Sequence, residues 1–221
     1  MFSITVFIII VTAVVSYVSF TNEQWMNKLI FHPPTIHNDS KEAYRFISCG
    51  FIHADIPHLL FNMYSFYLFG SAIESFFKDT FGDKAYFLYL LLYITSLIVC
   101  LIPTYFKQIN NYNYYSLGAS GAVSAVVFIY IFIAPLQDLS LMFIPIGIPA
   151  FIFGILYLAI SAYLAKRGNT NINHSAHLWG AVYGIIFFIL ICKINSNFNP
   201  IDNFSMKVCG FIAHAKHYFN G

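Results

Sequence analysis

Charge is what this sequence has least of. Only 9% of its 221 residues are Asp, Glu, Lys or Arg, against about 25% in soluble domains, and that scarcity excludes a soluble globular domain as the bulk of the chain. Eleven Lys and Arg against nine Asp and Glu leave a formal charge of +2. The basic residues are scattered and form no stripe, so no nucleic-acid partner is implied. The four cysteines, Cys49, Cys100, Cys192 and Cys209, form no CxxC pair, and no disulfide framework is read from them. No HExxH occurs, and no carboxylate stands beside His53, His58, His174 or His177 as a second shell. No metal and no other cofactor is expected. The apolar first twenty residues lack both the basic n-region and the A-x-A site of a secretion signal, which predicts a retained helix.

What is abundant is apolar surface. Hydrophobic residues make up 59% of the chain and the mean hydropathy is +0.70. A spanning helix needs about 20 mostly apolar residues to cross roughly 30 Å of hydrocarbon. Six windows meet or approach this, near 1–20, 57–77, 85–106, 118–136, 140–165 and 174–192. The reading is an all-α, multi-pass integral membrane protein: a six-helix membrane domain over 1–192 and a polar tail over 193–221 that resembles a surface helix. The long first connection, 21–56, carries Pro33, Pro34, Trp25 and Phe31 among charges, as an interfacial loop does. In the fifth window Pro145, Gly147, Pro149 and Gly154 predict a bent helix or a re-entrant loop.

Polar side chains inside apolar windows are costly unless paired, and each is a functional candidate. His53, His58 and Asn62 stand at the start of the second window, Ser120 and Ser124 at the start of the fourth, and His177 at the start of the sixth. The second, fourth and sixth helices of a serpentine chain enter from one face, so these residues share a depth. His58 and Asn62, four residues apart, also share a helix face. Gly118, Ala119, Gly121, Ala122 and Ala125 keep the fourth helix slender, and Gly180 and Gly184 set a small-xxx-small spacing on the sixth. Two such surfaces can pack backbone to backbone and bring a hydroxyl to an imidazole, the minimum apparatus for nucleophilic acyl transfer. Singly, each residue has a plainer role: Ser and Asn as interhelical glue, His as a packing or pore residue. The shared depth raises the chemical reading above these.

At these residues the chain resembles the rhomboid family of intramembrane serine proteases. The nucleophile signature reads Gly118-Ala119-Ser120-Gly121, and the sixth helix reads Ala176-His177-Leu178-Trp179-Gly180-Ala181-Val182-Tyr183-Gly184, matching AHxxGxxxG. His53, His58 and Asn62 give H-x4-H-x3-N, with Glu74 twelve residues beyond, and Tyr44-Arg45 resembles the family's Trp-Arg pair. The matches fall in the family's order over residues 42–184. The resemblance implies a six-helix bundle in which Ser120 is the nucleophile and His177 the general base and acid. It implies an oxyanion site using Asn62 and His58, with His53, Gly118 and Gly121 in support.

Three positions depart from the family pattern. Tyr44 replaces Trp, Cys49 stands where some relatives have His, and Ser124 replaces an aromatic that in relatives packs against the imidazole. Trp179 lies on the wrong side of its helix to supply that ring. No carboxylate matches a triad's third member, so a Ser-His dyad is the expected machinery, and the implied substrates are transmembrane segments of other proteins in the bilayer. Two rivals remain: a non-catalytic relative that binds membrane clients, and a transporter lined by intramembrane His and Asn. Intact Ser120, His177 and Asn62 weigh against the first, and clustering of the polar residues at one end of the even-numbered helices against the second.

Overall fold

The computed structural model describes residues 3–141, 144–167 and 172–220. Eleven α-helices are present among them: α1 (Ile4–Thr21), α2 (Glu23–Leu29), α3 (Pro33–Asn38), α4 (Arg45–Ser48), α5 (Ile56–Phe81), α6 (Ala85–Val99), α7 (Ile102–Gln108), α8 (Ser120–Ile133), α9 (Ala150–Arg167), α10 (His174–Asn195) and α11 (Pro200–Asn220). A two-stranded antiparallel hairpin, β1 (Asp138–Leu141) and β2 (Ile144–Pro149), precedes α9. Among the described residues, four helical stretches are long and apolar enough to cross a membrane: Ile4–Thr21, Ile56–Gln108, Ala150–Arg167 and His174–Asn195. Ile56–Gln108 folds back on itself at the 3₁₀ turn Gly82–Lys84, where Gly82 takes a φ of 54° that favours glycine.

The shorter α8 is the axis of the bundle. Every residue from Gly121 to Ile129 is buried, with α5, α6, α9, α10 and α11 around it. Its 14 residues reach about 21 Å, less than the roughly 30 Å of hydrocarbon, so both ends cannot meet the bilayer surface. The chain leading into it is irregular but protected. Phe31 and Ser116 exchange backbone hydrogen bonds of 3.0 and 3.1 Å, and the Gly118 N–H donates to the Cys49 carbonyl at 2.9 Å. Non-helical backbone at membrane depth is tolerated where protein satisfies it in this way.

Side chains close both ends of the bundle. Asp55 caps α5 by accepting from the His58 N–H at 2.7 Å, and Asn173 caps α10 by accepting from the Ala176 N–H at 3.1 Å. At the other end of α8, Asn203 of α11 donates to the carbonyls of Phe132 and Ile133 at 2.9 and 3.2 Å, and Lys207 donates to Ile133 at 2.9 Å. These bonds satisfy carbonyls that a helix end leaves orphaned. The tail is thus helical and fastened to α8.

The fifth apolar window, placed at 140–165 from hydropathy, divides in the structure. Its first part is the β1–β2 hairpin and the helix starts only at Ala150, although residues 142 and 143 of that window lie outside those described. Pro145 and Pro149 lack the N–H an interior helical position needs, and the edges of a two-stranded hairpin tolerate them.

Candidate active site

Helix packing brings the site together. A Cβ added at Gly180 would overlap the carbonyl of Gly121, and one at Gly184 the carbonyl of Ala125. Helices α8 and α10 therefore meet backbone to backbone along the small-residue stripe. That approach sets Ser120, the first residue of α8, against His177 in the first turn of α10. His177 Nε2 lies 2.7 Å from Ser120 Oγ, a direct hydroxyl–imidazole hydrogen bond. With Nε2 accepting the hydroxyl proton, the ring carries its own proton on Nδ1.

His53 and His58 lie beside the N-terminus of α8. His53 is fully buried and joins two elements: Nδ1 is 2.9 Å from Ser16 Oγ on α1, and Nε2 accepts from the Ala119 N–H at 3.5 Å. Because Ser16 Oγ donates to the Phe51 carbonyl at 3.0 Å, the consistent assignment puts the His53 proton on Nδ1, donating to Ser16. His58 packs edge-on to His53 with ring centroids 5.0 Å apart, and its ring crowds Gly118. Gly118 has a φ of 108°, and a Cβ there would come within 2.8 Å of His58 Cε1. Both conformation and space therefore demand glycine at 118.

Asn62 is buried one turn further along α5 and donates one Nδ2 proton to the His58 carbonyl at 2.9 Å. At the start of α8, the N–H groups of Ser120, Gly121 and Ala122 have no intrahelical acceptor four residues back, as at any helix start. Gly121 also leaves room for Cys100, whose sulfur a Cβ at 121 would strike. Among the described residues, no group of three or more His, Cys, Asp or Glu side chains is arranged to share a metal ion.

Neither carboxylate near these elements in sequence faces His177. Asp55 serves as the α5 cap. Glu74, about 18 Å along the helix from Asn62, binds α1 and Lys78. In the first connection, Arg45 is buried and donates to Glu42 at 2.5 Å and to the carbonyls of Asn27 and Ile30 at 2.7 and 2.8 Å. The Arg45 guanidinium holds the Glu42 carboxyl below the usual carboxylate range. Tyr44 donates to the Lys28 carbonyl at 3.0 Å, so the Tyr44-Arg45 pair ties this loop to α2.

Three contributors escaped the sequence reading. Ser16 is in sequence one of several hydroxyls in an apolar helix, and Asn173 carries the usual signal of a polar cap before a helix. Tyr157 of α9 is the third. Its hydroxyl is 2.6 Å from Ser124 Oγ, and its ring lies nearly parallel to His177 at 23°, with centroids 6.3 Å apart. Nothing in the sequence spacing joins residues 124, 157 and 177.

The sequence has counterparts among known proteins. The Rhomboid domain model matches residues 40–194. RHOMBOID-like protein 12, mitochondrial, of Arabidopsis thaliana is 32% identical over 165 residues, 70% of this chain and 48% of the relative. The chain therefore spans about half of that protein's length. The putative rhomboid protease YdcA of Bacillus subtilis is 33% identical over 155 residues, 67% of each chain. The rhomboid protease GlpG of Haemophilus influenzae is 27% identical over 169 residues, 76% of this chain and 80% of the relative. With apolar helices long enough to cross a bilayer several times and a domain match covering well over half of its length, this chain is a multi-pass integral membrane protein of the rhomboid family.

Proposed function

We propose that the chain is a serine endopeptidase that cleaves transmembrane segments of other membrane proteins through a Ser120–His177 dyad. The observation that carries this reading is the 2.7 Å contact between His177 Nε2 and Ser120 Oγ. Ser120 Oγ attacks the scissile carbonyl carbon while His177 takes the hydroxyl proton. The tetrahedral intermediate collapses as His177 returns that proton to the leaving amine, giving an acyl-enzyme. Water, deprotonated by His177, then attacks the ester and releases the acid and free Ser120.

The oxyanion would draw on three donors. The Ser120 N–H opens α8, whose dipole favours negative charge at its start. Asn62 retains a second Nδ2 proton beyond the one given to His58, and the His58 ring lies against Gly118. With no carboxylate among the described residues bonded to the His177 ring, the imidazolium is held by packing, and turnover is expected to be modest. The lipid bilayer is the medium from which substrate arrives.

The test is cleavage of a transmembrane reporter in liposomes by wild type, Ser120→Ala and His177→Ala. Cleavage by wild type that disappears in both variants is expected. A folded wild-type protein that captures the reporter without cutting it would instead indicate a non-catalytic membrane-client binder.

A further inference from the structure

His177 needs something to hold its ring. Ser124, one turn after Ser120 on α8, offers a hydroxyl and no ring, and Trp179 is 44% exposed. The flank of the imidazole is covered from another helix by Tyr157 of α9, stacked at 23°. Its centroid separation of 6.3 Å lies inside the 4.5–7 Å range of interacting rings. The Tyr157 ring is itself placed by Phe128 and Phe153, with centroids 5.6 and 6.1 Å away.

The hydroxyl is as directed as the ring. Ser124 Oγ donates to the Ser120 carbonyl at 2.8 Å, so the 2.6 Å contact with Tyr157 is made with the tyrosine as donor. One residue thus touches the ring of the base and, through Ser124, the backbone of the nucleophile. We infer that Tyr157 is the positioning residue of this site: it sets His177 against Ser120 from α9. This rests on the protease reading above. Helix α9 is the least embedded of the long apolar stretches, with 17% of its window buried against 44% for α10. The support is therefore carried by the helix with the least packing of its own.

The test compares wild type, Tyr157→Phe, Tyr157→Leu and the exchange variant Tyr157→Leu with Ser124→Tyr, which returns a ring to the same pocket from α8. Reporter cleavage is resolved into kcat and KM, and the His177 ring resonances are followed by NMR in micelles. Tyr157→Leu is expected to lower kcat about tenfold at unchanged KM, the scale of one aromatic contact, and to move the His177 signals. Tyr157→Phe should lose only about two- to threefold by dropping the hydrogen bond while keeping the ring. The exchange variant should recover most of the kcat lost by Tyr157→Leu. Tyr157→Met gives the same comparison should Tyr157→Leu fail to fold. Unchanged kcat and unchanged His177 signals in a folded Tyr157→Leu protein would overturn the inference, as would a loss confined to KM. A wild-type protein that never cleaves would overturn the protease reading, and the ring signals would still decide whether Tyr157 positions His177.

Discussion

The two ends of the helical bundle place polar side chains among apolar helices in opposite ways. At one end, buried Glu74 is saturated: its carboxylate accepts from Ser3 Oγ at 2.8 Å, the Ile4 and Thr5 N–H groups at 3.2 and 3.0 Å and Thr5 Oγ1 at 2.8 Å, and pairs with Lys78 at 2.9 Å. Tyr89 extends the network, donating to Thr5 Oγ1 at 2.8 Å. At the other end, the Ser120 hydroxyl and the His177 ring meet where α8 begins, and Asn62 of α5 donates to the His58 carbonyl. A charge is buried where every lone pair is occupied and only structure is served. Under the proposed function, the donors at the start of α8 would serve a developing oxyanion. Degree of satisfaction, more than polarity, separates the two roles.

Substitutions can break that contrast, and the largest effect belongs to the saturated end. Glu74→Ala should cost about 3–5 kcal/mol, because Lys78 and the N-terminus of α1 lose their acceptor. Thermal unfolding in detergent would record this as a fall in Tm, with cleavage per folded molecule largely kept. Asn62→Ala should do the reverse, slowing cleavage about 10²- to 10³-fold while Tm moves little. Gly184→Val inserts a side chain where the Ala125 backbone already lies. It should cost about 1–3 kcal/mol and reduce both Tm and cleavage, since α8–α10 contact makes the site.

Two smaller effects sharpen the comparison. Replacing both Asn203 and Lys207 by Ala uncaps the last turn of α8 and should lower stability by about 1–2 kcal/mol, again read as Tm, with the Ser120 end unaffected. Glu42 supplies a pH dependence. Its pKa lies below the ordinary value of 4.5 through its bond with Arg45, so the stability it contributes is complete above that ordinary value. It is lost as pH falls through the lower, folded-state pKa. Pepsin nicking of the first connection should rise in that acid window in wild type, and Glu42→Gln should nick readily without the pH step.

Much of this was legible from residue spacing. The positions of His58, Asn62, Ser120 and His177 at the starts of alternate helices, and the glycines that let α8 and α10 touch, follow from periodicity and from parity of the spans. The hairpin before α9 was not legible, since hydropathy over 140–165 is continuous and a short apolar run does not distinguish strand from helix. Tyr157 was hidden for a different reason. Rotation of one helix about its axis relative to another is fixed by packing, and no spacing rule reports that a tyrosine on α9 faces residues 124 and 177. Nor does spacing show that Glu74 binds the start of α1.

The central claim is that Ser120 is a nucleophile activated by His177. Its most direct test is covalent labelling of the purified, folded protein with a serine-directed fluorophosphonate, followed by mapping of the modified peptide. The account predicts one adduct, on Ser120, that is absent in Ser120→Ala and strongly reduced in His177→Ala. A folded wild-type protein that takes no label, or takes it at another serine, would contradict it.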